Sequence, residues 1–132
     1  GASILYDCHS IRSQIPFLFD GTLPDFNIGT NGGSTCAPEM ETAVARICAS
    51  ATGYTSVLNG RFKGGWTTRH YGRPHENIHA IQMELAQSSH LKTESAPFAY
   101  SPEKAAPLRI HLKQILETLA AIAGPSLALT ET

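Results

Sequence analysis

The sequence predicts one α/β domain built on a mostly parallel sheet. Three observations predict it: short apolar runs of strand length recur, helical apolar spacing sets in between and after them, and Gly- or Pro-rich stretches separate the two. The chain has 132 residues, the size of a single domain with a real core. Its 42% hydrophobic and 16% charged residues exclude a disordered chain. A net charge of −1 with no basic block argues against phosphate-driven nucleic-acid binding, and no apolar run has the roughly 18 residues of a membrane span.

Taken in order, residues 2–6 (ASILY) read as a buried strand running into Asp7-Cys8-His9-Ser10. Ligands in open α/β sheets gather beyond strand carboxyl ends, so His9 is placed for metal or acid/base work, or is a hydrogen-bonded loop histidine. Residues 11–35 carry Pro16, Gly21, Pro24, Gly29, Gly32 and Gly33 and read as a long loop, in which Arg12 shares the neighbourhood of His9. Residues 25–30 start like a calcium loop, but Thr30 replaces its glycine and Cys36 its bidentate glutamate, so Asp25, Asn27 and Asn31 read as turn formers.

Residues 38–51 predict a helix with Met40, Val44, Ile47, Cys48 and Ala51 on one face, Pro38 in its first turn and Gly53 after its end. Residues 56–58 predict a second strand, ending at Asn59-Gly60-Arg61. Residues 62–71 read as extended or hairpin-like. Arg61, Lys63, Arg69 and Arg73 concentrate positive charge there, as a solvated loop or as a pocket for carboxylates, and the pocket is the better reading in a neutral chain.

His75-Glu76-Asn77-Ile78-His79 spells H-E-x-x-H, which on a helix would be a metalloprotease site. The same region alternates as a strand over 78–85, with His79, Ile81, Met83 and Leu85 on one face and Ala80, Gln82 and Glu84 on the other. On a strand, Glu84 is a carboxylate in apolar surroundings near the carboxyl end, shared by expectation with His9 and Asn59–Arg61. Such a group is costly unless used, and its raised pKa suits a general base. Residues 86–99 read as loop. Residues 107–123 predict a helix with Leu108, Leu112, Ile115, Leu116, Leu119 and Ile122 as one core stripe, stopped by Gly124-Pro125, with a fraying tail beyond. Three cysteines, Cys8, Cys36 and Cys48, cannot all pair, no C-x-x-C is present, and a reducing, cytoplasmic location is expected. Gly1-Ala2-Ser3 reads as an internal start.

Five blocks carry a resemblance: Asp7-Cys8-His9-Ser10-Ile11-Arg12-Ser13, residues 23–30 (LPDFNIGT), residues 59–65 (NGRFKGG), Thr68-Arg69-His70-Tyr71-Gly72 and residues 80–87 (AIQMELAQ). In this order they resemble the N-formylglutamate amidohydrolase (deformylase) family, over about residues 6–100. The resemblance implies a mixed, mostly parallel sheet flanked by helices, akin to zinc-dependent exopeptidases and the phosphorylase/hydrolase-like fold, of which this chain is the C-terminal part. It implies hydrolysis of N-formyl-L-glutamate in histidine breakdown, with Zn2+ as cofactor, His9 as one metal ligand and Glu84 as acid/base. Arg12, Asn59, Arg61 and Arg69 are then expected at the carboxylates of a small dicarboxylate substrate. The remaining ligands are expected outside this chain, whose sheet edge would otherwise self-associate. The rival expectations are a non-catalytic binder of acidic ligands, a structural fragment, and the H-E-x-x-H metalloprotease.

Overall fold

The structure is a computed structural model, and it describes residues 1–124; the predicted fraying tail lies outside the described residues. The elements run β1 (Ser3–Ile11), β2 (Phe26–Gly29), α1 (Pro38–Ser50), β3 (Ser56–Leu58), α2 (Trp66–Tyr71), β4 (Ile78–Ala86) and α3 (Pro102–Ala123). Among the described residues the four strands form one sheet in the order β1-β4-β2-β3. β1 pairs with β4 and β2 with β3 in parallel, whereas β2 and β4 are antiparallel. The sheet is therefore mixed and mostly parallel, as expected.

Alternation decides what each face carries. Ile81 and Met83 of β4, with Ile4 and Tyr6 of β1 and Leu85 beside them, pack under α1 and α3. Phe26 and Ile28 join them from β2, Met40, Val44 and Cys48 from α1, and Leu108, Ile115 and Leu119 from α3. Burial pushes the Cys36 and Cys48 thiols up to about 12, in keeping with core packing rather than nucleophilic use. The opposite face carries Asp7, His9, Gln82 and Glu84, and α2 packs there against β4 and β1.

Several expectations change. β1 is longer than residues 2–6: nine residues pair in register with β4, which draws the polar Asp7–Ser10 run into the sheet, so His9 stands on the strand rather than in a loop after it. The long loop contains β2, four fully buried residues whose brevity and Gly/Pro flanks hide any period. Residues 66–71, expected to be extended, form a short helix following Gly65, which has extended backbone. α3 begins five residues earlier than predicted, because Ser101 caps it by accepting from the Lys104 backbone N–H at 3.2 Å, leaving Pro107 inside the helix. Leu116, assigned to the core stripe, is half exposed.

Candidate active site

Register builds the site. Because β1 and β4 run parallel, Asp7 lies opposite Gln82 and His9 opposite Glu84, and residues two apart on each strand share a face. Four polar side chains from two separate segments are thereby gathered on one patch of sheet. Glu84 is only 6% exposed. Burial pushes its carboxyl above the ordinary carboxylate range; His9 pulls it back and Asp7 adds to the rise. His9 Nε2 lies 3.0 Å from Asp7 Oδ1. Thr68 of α2, fully buried, donates its hydroxyl to Asp7 Oδ2 at 3.2 Å. The carboxylate of Asp7 thus ties the histidine to the helix above it, an arrangement that fixes ring orientation. Asn27 of β2 stands beside Glu84 in register and donates to its backbone carbonyl at 3.1 Å.

The predicted basic residues surround this face differently from expectation. β3 runs antiparallel to β4, so its carboxyl end points the other way: Leu58 is level with Met83 through Ile28, and Asn59 leaves the sheet beside the middle of β4 and not at its end. The common strand end expected for His9, Glu84 and Asn59–Arg61 does not exist. Asn59, at φ 53°, spends its amide on Thr30: Oδ1 accepts from the Thr30 N–H and Nδ2 donates to its hydroxyl, both at 2.9 Å. Arg61 is exposed, donates from Nε to the Leu18 carbonyl at 3.1 Å, and lies over the Phe62 ring. Arg69, exposed on α2 next to Thr68, donates from Nη1 to the Gly64 carbonyl at 2.7 Å. Arg12 follows β1 directly and lines an open cavity of about 560 Å³ with Ser10, Gln87 and His90.

The basic loop is seated by a close approach. A Cβ at Gly29 would stand 2.8 Å from the Lys63 backbone, and Lys63 O accepts from the Asn31 N–H at 2.6 Å. Gly29 therefore lets residues 60–64 cross the end of β2.

H-E-N-I-H is not a helical metal site, which removes the metalloprotease reading. His75 and Glu76 lie in a single 3-10 turn, Asn77 is left-handed, and Ile78 already begins β4. His79 is buried, and its Nδ1 accepts from the Ala37 N–H at 3.0 Å. Among the described residues, no group of three or more His, Cys, Asp or Glu side chains gathers as a metal site would require. The residues present therefore do not by themselves fit a catalytic zinc. Asp7, Thr68 and Gln82 were not singled out from the sequence; the alternations Asp7-x-His9 and Gln82-x-Glu84 are the signal that points to two of them.

Fold and face together define a class: a mixed α/β domain that holds a buried carboxyl beside a histidine on one face of its sheet. The model of the N-formylglutamate amidohydrolase family matches residues 1–91, and the chain belongs to that family. It is 52% identical over 121 residues to N-formylglutamate deformylase of Pseudomonas aeruginosa and 54% identical over 121 residues to that of Pseudomonas putida, in each case covering 92% of this chain and 45% of the relative. It is also similar to the crystal structure of N-formylglutamate amidohydrolase from Ralstonia eutropha JMP134, with a TM-score of 0.71 and 25% identity over 89% of this chain and 43% of that one. The chain spans less than half the length of the relatives it matches. No helix among the described residues is long and apolar enough to cross a membrane.

Proposed function

We propose that this chain supplies the catalytic face of an enzyme that hydrolyses N-formyl-L-glutamate to formate and L-glutamate, with a place in histidine breakdown. The observation that carries the reading is Glu84: a buried carboxyl with a raised pKa, held in register beside His9 in a chain of this family. Glu84 takes a proton from water as the water oxygen bonds to the formyl carbon. The C–N bond then breaks, the amine nitrogen of glutamate receives that proton, and formate leaves. His9, oriented by Asp7, stands next to Glu84 and favours its ionised form.

The two carboxylates of the substrate call for fixed positive charge. Arg69 is the nearest candidate by chain position, since its neighbour Thr68 already touches Asp7. Arg61 and Arg12 are the others, and each of the three arginines keeps N–H donors that no described residue engages. Asn59 acts through the loop it braces.

Zinc dependence belongs to the same proposal. A bound zinc lowers the pKa of its water to about 7 and polarises a carbonyl. It takes three protein ligands, and of these His9 is the one assigned to the described residues, so no step above is drawn through the metal. The 132-residue chain is expected to hold zinc weakly and to lose it on dialysis; tight, stoichiometric zinc by metal analysis overturns this.

The central test is Glu84→Gln in a polypeptide of the relatives' full length. Turnover of N-formyl-L-glutamate is expected to fall by about 10²–10⁴-fold, with binding by calorimetry largely kept. Near-parental turnover removes Glu84 as the base. Binding without any turnover in the parent supports the acidic-ligand binder instead.

A further inference from the structure

The side-chain amide of Gln82 is fixed at one end and open at the other. Its Oε1 accepts from the Gly65 backbone N–H at 2.6 Å and lies 3.5 Å from the Thr68 hydroxyl. A backbone N–H only donates, so the end that meets Gly65 is the carbonyl oxygen and the other end is Nε2. Gln82 is 5% exposed, yet among the described residues nothing accepts from the two N–H groups of Nε2. Nε2 is not itself buried, so a donor held in place by the oxygen end of the same amide opens onto the polar face of the sheet. Asp7, its register partner, does not take that donor: its carboxylate is engaged by His9 and Thr68.

Gln82 and Glu84 share a face of β4, roughly 6–7 Å apart along the strand. A carbonyl group whose oxygen meets a donor, and whose carbon meets a water held by a base, spans a gap of about that size. We propose that Gln82 contacts the substrate, Nε2 donating to the formyl carbonyl oxygen while Glu84 handles the water. This rests on the hydrolysis reading above. As the water oxygen bonds to carbon, the carbonyl oxygen gains the negative charge, and a donor already locked in place by Gly65 stabilises it without reorganising.

The test uses nuclear magnetic resonance titrations of a polypeptide of the relatives' full length with N-formyl-L-glutamate and, separately, with L-glutamate, which lacks the formyl carbonyl. The Nε2 proton resonances of Gln82 are expected to shift with the formyl compound and stay in place with glutamate. Gln82→Glu retains an oxygen for Gly65 and removes the donor; Gln82→Met removes both. Each is expected to lower the affinity for N-formyl-L-glutamate relative to glutamate by roughly threefold to tenfold, with thermal melting used to show that the fold is kept. Glutamate carries an ammonium where the formyl compound carries a neutral amide, so the charge that Gln82→Glu adds does not cancel in the ratio, and the neutral Gln82→Met is the deciding variant. An unchanged ratio in folded Gln82→Met overturns the assignment of Gln82 alone. Failure of the unsubstituted full-length polypeptide to bind either compound overturns the proposed substrate, and Gln82 with it.

Discussion

An ionised carboxylate out of water favours whatever lets it regain a proton, and Glu84 is in that position. Its folded pKa is raised by burial, so between the ordinary carboxylate value and the raised one the folded chain binds more protons than the unfolded one. Stability therefore falls as pH rises through that window, and above it the fold carries the full penalty. Glu84→Gln removes it. The variant is expected to melt at a higher temperature than the parent at pH values above that window, and the gain should fade as pH drops below the ordinary value of 4.5. Thermal melts of both proteins across this range check it; a gain that does not depend on pH, or a variant less stable than the parent at every pH, counts against a strained Glu84. Glu84 was legible in the sequence because a charge in an alternating apolar strand breaks a local pattern. Gln82 and Asp7 were not: the local alternation places each on the face of Glu84 or His9, but what brings the two together is a register between segments 75 residues apart.

The second histidine of H-E-N-I-H shows how elements lean on one another. Ala37 precedes α1 and has no side chain to cap it, so the first turn of the helix lacks a local acceptor. His79 of β4 supplies one, accepting the Ala37 N–H through Nδ1 while its ring is buried. Strand and helix are thereby bolted at the end where the chain enters α1. His79→Ala is expected to cost about 1–3 kcal/mol, the loss of a buried acceptor that does the work of a cap. His75, exposed in its 3-10 turn, is expected to tolerate alanine within about 0.5 kcal/mol. Urea denaturation separates them, and equal effects contradict the bracing role. The same interplay explains which elements the sequence revealed. α1, β3 and β4 follow their own apolar periods. β2 is four residues placed by neighbours on both sides, α2 is a six-residue helix among glycines, and the start of α3 was masked by a second proline at Pro107 that suited a first turn equally well.

At the scale of the whole molecule, the strand order β1-β4-β2-β3 leaves His9 and Asp7 on an outermost strand. Nothing among the described residues pairs with the outer edge of β1 along its nine residues. The outer surface of α3 beside it exposes apolar side chains, Ile110 at 68% and Leu116 at 50%, along a groove that Arg109, Leu112 and Lys113 also line. An unpaired strand edge is a template for another strand, and an apolar flank adds a hydrophobic incentive. A net charge of −1 offers little repulsion between copies. The 132-residue chain on its own is therefore expected to self-associate: light scattering should give a mass that climbs above 14.2 kDa as concentration rises. Ile110→Lys combined with Leu116→Lys should return it toward the monomer without lowering the melting temperature appreciably, since neither side chain is in the core. A constant monomer mass up to millimolar concentration refutes the expectation. An association that the double substitution leaves unchanged assigns it to the β1 edge alone, where the backbone, and not the α3 surface, does the pairing.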